Sequence, residues 1–187
     1  METTLWRIRP HTVPVWALAC ARCGASWLES TGRFRVNANG RRHDVWLIYR
    51  CPGCGARRKQ PVHRRVRADA AEVPLDAYRR DDPVLAESVA FALAPGVPVA
   101  YAVERPPLPE SGPLRVRIVQ PRFCAVRWDR FLAAELGWSR RRVQAAWRAR
   151  TLCVEPACRA SAPVRDGQCF SVLELRCRPS PSPPRSG

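Results

Sequence analysis

The sequence predicts an α+β protein, and three observations carry that prediction. Two Cys-x-x-Cys pairs, Cys20–Cys23 and Cys51–Cys54, flank a stretch with the alternation and turn residues of a β-hairpin. An acidic amphipathic segment follows and gives way to short strands punctuated by proline. Beyond residue 126 two short helical patterns lead into two more short strands. The order implies a β-hairpin unit stapled by its cysteines over 1–66, a middle segment with one acidic helix and short strands over 67–125, and a small α/β domain over 126–177. Residues 178–187 are rich in Pro, Ser and Arg and are expected to be disordered, because they offer nothing to bury.

The hairpin lies between the two cysteine pairs. Phe34 and Val36 alternate with polar neighbours, Asn39-Gly40 is a two-residue turn signal, and Val45 to Tyr49 is an apolar, β-rich run. The turn brings the strand ends together, so each pair of thiols is directed at the other. Cys20, Cys23, Cys51 and Cys54 then supply four sulfurs, the donor set and number that suit tetrahedral Zn²⁺, and the unit reads as zinc-ribbon-like. An iron–sulfur centre or a redox pair competes for such cysteines. A redox motif, however, needs one pair in a βαβ setting, and this chain offers two pairs around a hairpin. Four thiolates close the coordination shell, which makes the expected role structural. A unit this small buries little surface, so its metal is expected to decide whether it folds.

Arg57 to Arg67 is a basic run without an acid, readable either as a phosphate-lining strand or as a solvated one. Asp69, Glu72, Asp76, Asp81, Asp82 and Glu87 then reverse the charge. Asp82-Pro83 reads as a helix start, Val84, Leu85, Ser88, Val89 and Leu93 keep helical spacing, and Pro95-Gly96 ends the run. Val99 to Val103 and Leu114 to Val119 read as strands around a loop from Glu104 to Pro113.

Arg127 to Gly137 reads as an amphipathic helix with Trp128, Phe131, Leu132, Glu135 and Leu136 on one side and Gly137 as its C-terminal cap. Ser139 caps a second helix, Arg140 to Ala149, whose buried stripe is Val143, Ala146 and Trp147. Arg141, Gln144 and Arg148 occupy a different side of it. Strands are expected at Leu152 to Glu155 and Cys169 to Leu175.

The 187 residues carry a formal charge of +16, and 46% of them are apolar, enough for a core. The charge points to an anionic partner, with RNA or DNA ahead of lipid. Lys59 is the only lysine, so the abundance of Arg also fits a GC-rich genome. No Gly-rich phosphate loop, nucleophile elbow or HExxH sequence occurs, and no catalytic role is expected. Arg7 and Arg9 ahead of the apolar run Val13–Ala19 and Cys20 imitate an export signal, but the run is short and Pro14 interrupts it. No segment approaches the ~18 apolar residues of a membrane span. A cytoplasmic location and no membrane partner are expected.

The C-terminal pattern resembles the S-four RNA-binding domain, on Arg127, Asp129, Leu132, Leu136, Ser139-Arg140, Val154 and Gly167. That family presents basic residues of two helices to the phosphates of structured RNA. The resemblance places this role on Arg130, Arg140, Arg141 and Arg148, with Gln144 beside them, and makes structured RNA, ribosomal RNA included, the expected partner. The chain departs from the pattern at Trp128 (usually Leu), Arg150 (a helix-ending Gly), Glu155-Pro156 (an Asn-Gly turn) and Gln168 (usually Asp). The alternative partner is a protein docked on the ribbon and on exposed Trp anchors. Across most of its length, through Phe34–Gly40, Asp44–Tyr49 and Cys51–Cys54, the chain resembles the bacterial domain-of-unknown-function family 1062, which brings no activity.

Overall fold

The computed structural model describes residues 2–176; Cys177 and the tail expected at 178–187 lie outside the described residues. In chain order the elements are β1 (Thr3–Pro10), β2 (Glu29–Asn39), β3 (Arg42–Arg50), β4 (Arg57–Arg67), α1 (Leu75–Arg79), α2 (Pro83–Leu93), β5 (Tyr101–Glu104), β6 (Ser111–Val119), α3 (Trp128–Glu135), α4 (Arg140–Arg148), β7 (Leu152–Glu155) and β8 (Cys169–Arg176). The described residues form two compact units, one of residues 10–101 with 122–124 and the other of residues 2–9, 102–121 and 125–176. The middle segment read from the sequence is thus shared out: α1 and α2 fall in the first unit, β6 in the second. We call the first the cysteine unit and the second the aromatic unit.

The cysteine unit is built on an antiparallel sheet in the order β2-β3-β4. Asn39 pairs with Arg42, so the tight turn is Gly40-Arg41, one residue later than the Asn-Gly signal suggests. Only Gly40 of the two takes positive φ (+60°), as type II′ turns require of their first central residue. Val45, Leu47 and Tyr49 of β3 are buried on one face and alternate with half-buried Asp44, Trp46 and Ile48 on the other. Leu75 and Tyr78 of α1 and Ala86, Val89 and Ala90 of α2 complete the core on the buried face. Ring edges lock it, Phe34 against Tyr78 at 4.7 Å and Trp16 against Tyr49 at 5.2 Å.

The acidic stretch serves this packing. The Asp82 carboxylate accepts the Leu85 amide (2.8 Å) and caps α2, with Pro83 behind it as expected. Asp81 accepts the Phe34 amide of β2 (2.7 Å), and Asp69 and Asp76 pair with Arg67 and Arg79. The basic run forms the edge strand β4.

The aromatic unit has a five-stranded sheet in the order β5-β1-β6-β8-β7, with β1 parallel to β6 and the β6–β8 and β8–β7 pairs antiparallel. Strand β1 has no counterpart in the sequence reading, although Trp6 and Ile8 alternate with Arg7 and Arg9. The two apolar side chains are buried, Trp6 to 1% exposure, and Arg7 and Arg9 pair with Glu104 of β5. Trp6, Trp128, Phe131 and Phe170 form the centre of the core, with Trp6–Phe170 at 5.2 Å and Trp128–Phe131 at 5.8 Å, both edge to face.

Both helices of this unit end in the same way. The Gly137 and Trp138 amides donate to the carbonyls of Ala134 and Ala133, and the Arg150 and Thr151 amides to those of Trp147 and Ala146. This is the Schellman arrangement, which needs a left-handed residue after the cap. Gly137 supplies it with φ +63°; at α4 the residue is Arg150, at φ +57°. Trp128 and Gln168, two residues that depart from the expected C-terminal pattern, are partners of each other: the Trp128 Nε1–H donates to Gln168 Oε1 (3.2 Å) inside the core. Among the described residues no helix is long and apolar enough to cross a membrane.

Candidate functional site

Two turns of the same design bring the cysteines together. Cys20-Ala-Arg-Cys-Gly-Ala25 and Cys51-Pro-Gly-Cys-Gly-Ala56 share the spacing of Cys, Gly and Ala. In each, the first cysteine's amide donates to the Ala carbonyl (2.7 and 2.8 Å), and the Gly amide donates back to the first cysteine's carbonyl (2.8 and 3.0 Å). Gly24 and Gly55 sit at φ +76° and +72°, where a side chain would strain the turn. Sequence reasoning found the four cysteines but missed the glycines and alanines; the repeated CxxCGA was the signal.

The four sulfurs expected to act together, those of Cys20, Cys23, Cys51 and Cys54, all lie within 4.8 Å of one another. Cys20 Sγ is 3.6 Å from Cys54 Sγ, and Cys23 Sγ is 3.4 Å from Cys51 Sγ. Around a tetrahedral ion with metal–sulfur bonds of ~2.3 Å, sulfurs stand ~3.8 Å apart. A disulfide needs ~2.05 Å. The cluster therefore fits a metal ion, with all four thiols free. Cys20 and Cys51 are buried, whereas Cys23 is exposed.

The thiols are unequal. Amides of Arg22 and Cys23 donate to the Cys20 sulfur and pull its pKa down to about 6. The Ala25 amide works in the same sense on Cys23, but the sulfurs of Cys51, Cys54 and Cys20 around it outweigh that and push it up to about 12. A metal ion would displace the remaining protons, since thiolates are the ligands.

The aromatic unit carries the residues expected to meet RNA. Arg130, on α3, is exposed, as are Arg140, Arg141, Gln144 and Arg148 of α4. Val143 is buried, whereas Ala146 and Trp147 of the expected buried stripe are only half-buried. Arg140 stands apart from the other cations. Its guanidinium donates to Asp129 Oδ2 at 2.8 Å, and Arg127 binds both oxygens of the same carboxylate (3.1 and 3.0 Å). The Asp129 side chain is 1% exposed. Burial raises its pKa, but Arg140 and Arg127 prevail and hold it below the usual carboxylate value. Arg140 thus ties α4 to α3, while Gln144 and Arg148 line a cavity of about 270 Å³ with Arg127, Asp129, Trp147 and the 160–161 turn.

A family described as "Protein of unknown function (DUF1062)" matches residues 36–156, a span that takes in Cys51 and Cys54 but starts beyond Cys20 and Cys23. No curated protein matches the chain, and no solved structure does.

Proposed function

The chain belongs to the DUF1062 family, and since that membership brings no activity, we propose from the chain's own residues that it is a non-enzymatic, cytoplasmic protein that binds structured RNA through α3 and α4 and holds a structural Zn²⁺ in its cysteine unit. One observation carries the RNA reading: Arg141, Gln144 and Arg148 are exposed on one side of α4, while Val143 is buried and Arg140 is anchored on Asp129. The anchored pair holds the helix, and the free cations are available to phosphates. The overall charge of +16 favours a polyanion, and the S-four-like pattern makes structured RNA, ribosomal RNA among it, the class expected.

Zn²⁺ is the ion that a set of four thiolates suits best, and it would be held by Cys20, Cys23, Cys51 and Cys54. Bound there, it would cross-link the turns before β2 and after β3. Four thiolates leave no position for water or substrate, so the ion's role is to fold the unit.

The test is equilibrium binding of the metal-loaded protein to ribosomal or total RNA over a salt series. Log affinity is expected to fall linearly with log salt, by about 0.7–0.9 per phosphate contact. Arg141→Glu/Arg148→Glu removes cations without touching the Asp129 pairs and should flatten the slope. Absent or salt-insensitive binding contradicts the reading.

A second reading rests on Trp27, which is 46% exposed four residues after Cys23 and offers a protein partner an aromatic anchor beside the metal turn. A partner retained through nuclease and high salt, and released by Trp27→Ala, would support it.

A further inference from the structure

The cavity beside α4 holds more than phosphate-binding groups. Five of its linings matter: Arg127, Gln144, Trp147 and Arg148, with Asp129 at its base. Both Asp129 oxygens are occupied, one by Arg127 and the Arg130 amide, the other by Arg127 and Arg140. The carboxylate is therefore neutralised from within and does not repel an anion. Trp147 is a large aromatic side chain left half-buried in a helix whose neighbour Val143 is fully buried. The Gln144 amide, one turn away, carries donors and an acceptor together, the pattern that reads a base edge. Arg148 adds a cation at the same opening.

We propose that this cavity takes a single unpaired nucleotide of a folded RNA, with its base against Trp147, its edge on the Gln144 amide and a flanking phosphate on Arg148. The inference rests on the RNA reading above and adds what that reading lacks, a feature that selects among RNAs. A face made of Arg alone takes any duplex, because phosphates carry no sequence. RNA-binding proteins gain discrimination from bases splayed out of a helix onto aromatic side chains. Among the described residues, Trp147 is the one aromatic ring in the lining of this opening of about 270 Å³, and it offers a stacking surface to one base.

The experiment compares two hairpin RNAs that differ by one bulged nucleotide, each titrated against the metal-loaded full chain at fixed salt. The bulged hairpin is expected to bind about tenfold more tightly, in the range that stacking of one base on an aromatic side chain provides. Trp147→Ala should abolish that preference, bringing the bulged hairpin to the affinity of the paired one. Trp147→Phe should keep most of it, which guards against a folding defect in the alanine variant. Gln144→Ala should change which bulged base is preferred. Arg141→Glu, outside the cavity lining, should weaken both hairpins equally. Equal affinity of the wild type for the two hairpins, or a preference that survives Trp147→Ala, overturns the pocket but leaves the RNA reading intact. Failure of the wild type to bind either hairpin overturns both.

Discussion

The two units build their interiors in different ways. The aromatic unit packs Trp6, Trp128, Phe131 and Phe170 ring against ring under a five-stranded sheet. The cysteine unit has three strands and two short helices, and it sets four thiols within 4.8 Å of one another beside its core. Side-chain burial holds the aromatic unit; the cysteine unit also has two copies of one turn whose four thiols could hold a metal ion between them. The comparison teaches that the motif easiest to read, the paired CxxC, lies in one unit, whereas the exposed cations of α4 lie in the other, where the described residues hold no such cysteine cluster.

Predictions that would break or sharpen this contrast differ in size. The largest effect is expected from Cys51→Ser. Structural zinc contributes about 10–16 kcal/mol of apparent binding energy in finger peptides. Purified wild type should carry about one zinc per chain by elemental analysis, and the variant none. Its cysteine unit should lose cooperative unfolding while the transition of the aromatic unit stays in place. Phe131→Ala tests the other half. Removing a fully buried ring from the aromatic centre should cost about 3–5 kcal/mol in a urea titration, with zinc content unchanged.

Asp129→Ala should cost about 2 kcal/mol, since it deletes a buried carboxylate that accepts from two guanidinium groups while leaving those groups in reach of water. The sign of its pH dependence follows from the lowered pKa. The contribution is complete above the ordinary carboxylate pKa of ~3.9 and is lost as pH falls through the lower folded value. Stability of the aromatic unit measured between pH 6 and pH 2 should therefore fall less steeply in the variant than in the wild type. Arg150→Gly is the smallest change and has the opposite sign. It relieves a left-handed conformation that costs a side-chain-bearing residue about 1 kcal/mol, so the melting temperature should rise.

Much of the fold was legible where local chemistry decides it. Asp82-Pro83 and Ser139 cap the helices they were expected to cap, and β7 has the expected ends. What stayed hidden depends on partners distant in sequence. Strand β1 pairs with β6, more than a hundred residues away, and α1 is a five-residue helix, too short to show a period. Asn39-Gly40 looks like a type I′ turn, whereas the register uses Gly40-Arg41, one residue later. In the candidate sites the four cysteines were readable from spacing alone. The role of Arg140 was not, since nothing in the sequence says that Asp129 is buried beside it. Nor was the exposure of Trp147, which helical spacing assigns to the core. Trp128 and Gln168 are forty residues apart in sequence, and only their hydrogen bond in the fold relates them.

Hydrogen exchange of the full chain, followed segment by segment with zinc bound and after chelation, tests the division between the units most directly. On metal removal the amides of β2, β3 and β4 are predicted to lose their protection, while those of β6, β8, α3 and α4 keep theirs. Simultaneous loss in both units, or unchanged protection of the β2–β4 sheet without metal, would contradict the account.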